Sequence, residues 1–181
     1  MFYFVRHGET EWNVKDIRQG WSQNPLNANG VRQIKDATDG ISKLPIAYFY
    51  CSDLLRARQS ADIINKALKL EIIYDERLRE ISSGDWHGKI RSEQTEEEIE
   101  DFNKDRRKYN AETWQDVFDR AKSFMAEMTE KQRDGVLVVS HGGLINMMRY
   151  CAKCETFDEK AFFDVFFEFA NAEVIEIDFY K

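Results

Sequence analysis

The stretch Phe2-Tyr-Phe-Val-Arg-His-Gly8 is a short apolar run that ends in an arginine, a histidine and a glycine. A second stretch, Val136-Leu-Val-Val-Ser-His-Gly-Gly143, has a similar form. Two more apolar runs, residues 46–51 and 72–74, lie between them. Runs of this length, bounded by polar residues or glycine, are typical of buried β-strands. The pattern therefore predicts strands over residues 2–5, 46–51, 72–74 and 136–139.

Helical periodicity fills the segments between these runs. One set of apolar residues at helical spacing is Val31, Ile34, Ile41 and Leu44, and another is Leu54, Ala57, Ala61, Ile64 and Leu68. A third helix is predicted from the capping-box sequence at residues 113–116 through Met128. This alternation predicts a three-layer α/β/α fold with a mainly parallel central sheet. Residues 173–179 alternate apolar and acidic side chains, which indicates a strand at the sheet edge with one face in solvent.

Length and charge limit the kinds of function. The chain has 181 residues, 43% of them apolar and only two of them proline, so we expect one domain over residues 1–181. Its formal net charge of −7 has the wrong sign for broad binding to nucleic acid. No run approaches the roughly 20 apolar residues of a membrane span. A small anionic ligand must therefore be bound by a local cluster of cations.

The three cysteines do not suggest a disulfide framework. Their number is odd, and the first apolar run is too short for a signal peptide, so we expect a reducing cytoplasm. Cys151 and Cys154 have the C-x-x-C spacing of redox and zinc sites. However, the histidines at positions 7, 87 and 141 supply no second ligand pair. We interpret the two cysteines as structural thiols on one face of one helix.

Residues 90–110 are the least regular part of the chain. Acidic residues fill the first half, and a basic group at residues 104–108 follows. One interpretation is a solvated helix with ion pairs at i,i+4 spacing. The other is a lid whose basic end reaches an anionic substrate and whose acidic half disfavours the sugar acids of a mutase. The sequence alone leaves both open.

The polar residues that follow the predicted strands form the candidate site. Open α/β sheets bind ligands beyond the carboxyl ends of their strands, where Arg6, His7 and His141 follow two such ends. Arg56 lies about one turn into the helix after the second strand. Gly8, Gly142 and Gly143 allow backbone N–H groups to approach an anion closely. Because arginine binds phosphate oxygens two at a time, the pattern predicts a phosphate site.

At these residues the chain resembles the histidine phosphatase superfamily, also called the phosphoglycerate mutase-like family. The resemblance covers nearly the whole chain, in family order. Its blocks are Arg6-His-Gly-Glu-Thr-Glu-Trp-Asn13, Gln19-Gly-Trp21, Pro25-Leu26, Ser52-Asp-Leu-Leu-Arg-Ala-Arg58, Leu78-Arg-Glu80, Gly84-Asp-Trp86 with Gly88, and Ser140-His-Gly-Gly143. The expected fold is that of the phosphoglycerate mutases.

The resemblance also implies roles for individual residues. His7 is expected to attack phosphorus and form a phosphohistidine, while Glu80 matches the proton donor of the family. Chemistry alone would leave Glu9 and Glu76 as alternatives to Glu80. The residues expected around the phosphoryl group and the substrate are Arg6, Arg56, His141, Asn13, Gln19, Gly20 and Gly142. No metal or other cofactor is implied. Glu112 is a candidate for the pocket rim, and His87 is interpreted as a packing residue.

Three functions are compatible with these residues. The first is a phosphomonoesterase acting on small phosphorylated metabolites, the second is a phosphoglycerate mutase, and the third is a module that binds phosphorylated ligands without turnover. The resemblance favours the phosphatase branch, because Gln19-Gly20 and the Ser140 to Gly143 block are more typical of it. The expected partner is a small phosphomonoester, with neither nucleic acid nor membrane involved. The substrate and the oligomeric state remain open.

Overall fold

The computed structural model describes residues 1–179, and a five-stranded sheet forms its centre. The strands are β1 (Phe2–Arg6), β2 (Tyr48–Cys51), β3 (Ile72–Tyr74), β4 (Val136–Ser140) and β5 (Val174–Ile177). Their order is β3-β2-β4-β1-β5. β5 pairs antiparallel with β1, and the other neighbours are parallel. The predicted mainly parallel sheet, with the last strand at its edge, is confirmed.

Residues 1–179 contain seven α-helices, and some of them form a layer on each side of this sheet. The seven helices are α1 (Glu11–Val14), α2 (Ala28–Ile41), α3 (Leu55–Leu68), α4 (Glu96–Lys104), α5 (Trp114–Glu130), α6 (Gly142–Cys151) and α7 (Glu159–Asp164). Phe2 and Phe4 face the core shared with α5 and α6, whereas Tyr3 and Val5 face the core shared with α2 and α3. This alternation confirms the three-layer arrangement. No helix in residues 1–179 is long and apolar enough to cross a membrane.

The element boundaries differ from the predictions in a few places. β2 begins at Tyr48 instead of residue 46, because the N–H groups of Ala47 and Tyr48 both donate to the carbonyl of Gly135 ahead of the ladder. α2 ends before Leu44. The capping box at Thr113 is present, with Asp116 as its second member.

The interpretation of Cys151 and Cys154 as two thiols of one helix is wrong. α6 ends at Cys151, and the N–H groups of Lys153 and Cys154 both donate to the carbonyl of Tyr150 in a tight turn. Burial raises the pKa of the Cys151 thiol to about 12. A thiol of this kind stays protonated and unreactive, as expected for a structural residue.

Residues 84–111 build a small third core beside the sheet. Trp86 and Phe102 stack with their ring centroids 4.2 Å apart, and Ala111 is buried with them. Four 3₁₀ helices occur in or near this region, at Glu76–Leu78, Gly84–Trp86, Arg91–Glu93 and Arg106–Tyr109. α4 has no i,i+4 ion pair, and its Asp101 instead pairs with Lys108, 2.6 Å away. The segment is therefore anchored by an aromatic stack, which the solvated-helix interpretation did not foresee.

Candidate active site

Strand register brings His7 and His141 side by side. Arg6 of β1 is opposite Ser140 of β4, and the N–H of His7 donates to the carbonyl of Ser140 over 3.0 Å. Each histidine directly follows one of these paired residues. Their ring centroids are consequently 5.1 Å apart at the carboxyl edge of the sheet.

Arg56 reaches the same point from α3. It is the second residue of that helix, slightly earlier than the sequence suggested, and it is 1% exposed. Its Nε lies 3.2 Å from Nε2 of His7. Its Nη1 and Nη2 donate to the carbonyls of Ser22 and Gly20, over 2.9 and 2.8 Å. Three hydrogen bonds thus fix this guanidinium group against His7.

The contacts of His7 define its tautomer. Its Nδ1 lies 2.7 Å from the carbonyl oxygen of Gly8, which can only accept, so Nδ1 carries the proton. Nε2 then carries no proton, and its lone pair accepts the hydrogen bond from Nε–H of Arg56. Burial, followed by the charges of Arg56 and Arg6, holds the pKa of His7 well below its usual value. The ring is therefore neutral, with Nε2 available as a nucleophile.

Two buried nitrogens beside His7 have no hydrogen-bond partner within residues 1–179. They are Nε of Arg6 and Nδ1 of His141. The other ring nitrogen of His141 lies 2.9 Å from Oγ of Ser52, and burial, then the charge of Arg56, keeps the pKa of His141 well below its usual value. Nε of Arg6 always carries a proton, and Nδ1 of His141 carries one in the tautomer whose Nε2 accepts from the Ser52 hydroxyl. Buried donors of this kind usually have a hydrogen-bond partner.

Asn13 and Gln19 are held by Thr10. The N–H and Oγ of Thr10 lie 3.1 and 3.0 Å from Oδ1 of Asn13, and Oγ lies 3.0 Å from Oε1 of Gln19. The side-chain carbonyl oxygens of both residues therefore already have Thr10 as a hydrogen-bond partner. The NH₂ groups make no hydrogen bond within residues 1–179, and both side chains line the cavity described below. These NH₂ groups can therefore donate hydrogen bonds to an anion in the cavity.

Gly20 and His87 form one tight contact behind Arg56. Gly20 has a φ of +43°, and a Cβ at this position would lie 2.0 Å from Nε2 of His87. That nitrogen accepts hydrogen bonds from the backbone N–H groups of Trp21 and Ser83, over 3.0 and 3.3 Å. His87 thus has a packing role. Glycine is required here so that the carbonyl of residue 20 can hold Arg56.

Glu80 differs from the other two candidate acids, Glu9 and Glu76, because it lies beside Gly143 and faces the cavity. Its Oε1 accepts from the N–H of Ile81 over 2.9 Å, and its Oε2 accepts from the N–H of Gly143 over 3.3 Å. A Cβ on Gly143 would lie 2.4 Å from the Glu80 carboxylate. Glu80 lines the cavity, whereas Glu9 and Glu76 do not.

Arg120 clamps the backbone that leads to Glu80. Its Nη1 donates to the carbonyls of Arg77 and Arg79, over 2.6 and 2.7 Å, and its Nη2 donates to the carbonyl of Glu80 over 3.2 Å. Glu112 pairs with Arg120 at 3.0 Å and accepts from the N–H of Ser82 over 2.7 Å. Glu112 therefore does not line the cavity, contrary to the sequence prediction.

We expect Arg120→Lys to reduce kcat/KM for an alkyl phosphate by about 10²-fold, since a lysine cannot hold three carbonyls and a misplaced acid loses that much. The loss should be smaller for a nitrophenyl ester, whose leaving group needs no proton. A purely structural defect would reduce both rates equally and would contradict this role. Arg107→Lys, at an exposed position, serves as the matched control.

The cavity has a volume of about 480 Å³. It brings together eight of the nine residues predicted for the site, namely Arg6, His7, Asn13, Gln19, Gly20, Arg56, Glu80 and Gly142. His141 is fully buried behind its wall. The N–H of Gly8 donates to Oγ of Ser60 over 3.1 Å, so the expected contact of Gly8 with an anion is wrong. Within residues 1–179 no group of three His, Cys, Asp or Glu side chains could hold a metal ion.

Sequence reasoning missed a large part of the cavity wall. The residues not anticipated are Trp12, Asp16, Ile17, Arg18, Ile81, Ser83, Trp114, Asn146, Phe166, Phe167, Glu168 and Phe169. The signal that could have indicated some of them is the cluster of phenylalanines at residues 162–169. Arg91 and Arg106, from the segment proposed as a lid, also line the cavity.

Comparisons with known proteins show which proteins this chain is similar to. The chain is 36% identical over 147 residues to a probable phosphoglycerate mutase GpmB of Escherichia coli O139:H28, covering 77% of this chain and 68% of that protein. It resembles the solved structure of a mycobacterial glucosyl-3-phosphoglycerate phosphatase, with 28% identity, a TM-score of 0.70, and coverage of 83% and 80% of the two chains.

A second solved structure is a putative alpha-ribazole-5'-P phosphatase from Escherichia coli K-12. It shares 25% identity with this chain at a TM-score of 0.77, over 90% of this chain and 83% of that one. The sequence profile of the histidine phosphatase superfamily, branch 1, matches residues 2–181. The chain therefore belongs to branch 1 of the histidine phosphatase superfamily.

Proposed function

We propose that this protein is a phosphomonoesterase that hydrolyses small phosphorylated metabolites through a phosphohistidine on His7. The observation that carries the proposal is the state of His7, whose neutral ring directs the Nε2 lone pair at the cavity-lining Arg56. A module that only binds phosphate would need neither this nucleophile nor the carboxylate of Glu80. Charge stabilisation comes from the guanidinium groups, and no step is assigned to a metal.

In the first half-reaction, Nε2 of His7 attacks phosphorus and the bond from phosphorus to the ester oxygen breaks. The hydrogen bond from Arg56 moves from Nε2 to a phosphoryl oxygen, which frees the lone pair. Arg6 and His141 supply the buried donors identified above. The carboxyl group of Glu80 gives its proton to the departing oxygen.

In the second half-reaction, water attacks the phosphohistidine. Glu80, now a carboxylate, takes one proton from the water as the new bond from oxygen to phosphorus forms. The bond from Nε2 to phosphorus breaks, and its electron pair returns to the ring of His7. Inorganic phosphate leaves, and both His7 and Glu80 regain their starting protonation.

A mutase reaction is the alternative, because the curated relatives carry that name. No acidic residue of α4 lines the cavity, so repulsion of a sugar acid by this helix does not support the proposal. The phosphatase is supported instead by the names of the similar solved structures and by the Ser140 to Gly143 block. A lid motion of residues 90–110 remains part of the proposal.

Incubation with 3-phosphoglycerate and a trace of 2,3-bisphosphoglycerate tests the two reactions. We expect water to reach the intermediate, so that inorganic phosphate is released with little formation of 2-phosphoglycerate. Both products are followed together over time. Isomer formation that is faster than phosphate release by about tenfold or more would show that the pocket excludes water, as a mutase must.

A further inference from the structure

Three of the five arginines that line the cavity make no contact with His7. They are Arg18, Arg91 and Arg106, and they come from the loop after α1 and from both ends of the segment around α4. Arg6 and Arg56, by contrast, belong to the strand-end site. The cavity thus has two sets of cations, in a chain whose formal net charge is −7.

The stacked rings of Trp86 and Phe102 support the second set. The guanidinium carbon of Arg18 lies 5.2 and 5.4 Å from the centroids of these two rings, and that of Arg106 lies 4.5 Å from Phe102. Contacts of this kind orient a cation without neutralising it. Burial and the charges of Arg91 and Arg106 lower the pKa of Arg18 to about 10, so these cations are close enough to repel one another.

No carboxylate within residues 1–179 forms an ion pair with Arg18 or Arg106. Arg18 uses Nε to donate to Oε1 of Gln94 over 3.0 Å, and its terminal nitrogens make no hydrogen bond within that part of the chain. Arg106 donates to the main-chain carbonyls of Glu112 and Ser82, over 2.5 and 3.2 Å. Arg91 alone is paired, with Asp16 at 3.4 Å. Asp16 acts on Arg18 electrostatically, and Glu112 and Glu159 act on Arg106, but none of these carboxylates forms an ion pair with either arginine. Clustered arginines whose terminal nitrogens are not taken up by carboxylates are suited to an anionic ligand.

We propose that Arg18, with Arg106 and Arg91, forms a second anion subsite, and that the substrate is a phosphomonoester carrying another anionic group. This inference rests on the proposed function. Arg6 and Arg56 bind the phosphoryl group that is transferred, while the fork of Arg18 binds a carboxylate or a second phosphate. A cavity of about 480 Å³ can hold a small metabolite with both groups.

Matched pairs of substrates test the subsite. The first pair is 3-phosphoglycerate and glycerol 3-phosphate, which differ by a carboxylate in place of a hydroxymethyl group. The second pair is propanediol bisphosphate and propanediol monophosphate. In the wild-type chain we expect kcat/KM for the more anionic member of at least one pair to be about 10- to 100-fold higher, the usual worth of charge-assisted hydrogen bonds. The pair that responds identifies the anionic group.

Variants then show which residues cause the preference for the more anionic substrate. Arg18→Gln should reduce the ratio within that pair by about tenfold, mainly through KM, and Arg91→Gln should reduce it by less, because Arg91 is already paired. Lys89→Gln is the matched control, since Lys89 also lies over Trp86, at 4.4 Å, but does not line the cavity. In Lys89→Gln the ratio of the two kcat/KM values within the pair should stay at the wild-type value.

Two results would overturn the subsite. One is a wild-type ratio within about twofold of unity for both pairs, which needs no variant and so decides the matter even if Arg18→Gln does not fold. The other is an equal effect of Arg18→Gln and Lys89→Gln on the ratio. Absence of phosphate release from all four substrates would instead overturn the proposed function, so the two failures are distinguishable.

Discussion

Replacement of His7 by alanine is expected to reduce phosphomonoester hydrolysis by about 10⁶-fold, the order of loss seen when a covalent nucleophile is removed. Alanine removes Nε2, and no other described side chain holds a neutral nucleophile against Arg56. The measurement is kcat for a nitrophenyl phosphate, with circular dichroism and thermal unfolding recorded to show that the variant is folded.

His87→Gln is the matched control for this variant. His87 contacts the backbone of Trp21 and Ser83 instead of facing a phosphoryl group, so its loss should cost at most about tenfold in kcat. An account in which His7 merely binds phosphate predicts a similar, small loss for both variants. Residual activity of a few per cent in folded His7→Ala would contradict the role assigned here.

Replacement of Glu80 by glutamine is expected to slow hydrolysis of an alkyl phosphate by roughly 10²- to 10⁴-fold, the usual contribution of a positioned general acid. Glutamine is nearly isosteric but can neither donate nor remove the required proton. The defect should be smaller for a nitrophenyl ester, which departs without protonation. Rates for both substrates, measured side by side, give the comparison.

Glu76→Gln provides the control for this change, because Glu76 is an exposed carboxylate four residues earlier that does not line the cavity. It should leave both rates near the wild-type values. An equal loss of kcat/KM in Glu80→Gln on the two esters would show that Glu80 is not the acid of the first step, because kcat/KM reports the steps up to formation of the phosphohistidine and not its hydrolysis.

The central part of the site could be predicted because it depends on strand ends. Arg6, His7 and His141 follow β1 and β4, and neighbouring parallel strands present their carboxyl ends at one edge. Local sequence thus defines both the strands and the site residues at their carboxyl ends. The position of Glu80 needed the family resemblance, because its segment has no regular structure beyond a short 3₁₀ turn.

The remaining wall depends on contacts between distant parts of the chain, which no local pattern encodes. Residues 166–169 reach the cavity partly because Asn146 of α6 bonds to both the N–H and the carbonyl of Phe167. Arg18 faces the cavity because Trp86 and Phe102, far away in sequence, provide the surface on which it lies. Likewise, the steric need for Gly20 becomes visible only once His87 is in place.

The claim on which the whole account depends is that His7 carries the phosphoryl group during turnover. Rapid quenching of the reaction without acid, followed by peptide mass spectrometry, measures this directly, because a phosphohistidine survives alkaline but not acidic conditions. Glu80→Gln with a nitrophenyl phosphate is the best combination for trapping, since the adduct then forms without a proton donor while its hydrolysis is slow. We predict one phosphoryl group, found on His7. A stoichiometric adduct on any other residue, or phosphate release with no adduct at all, would contradict the account.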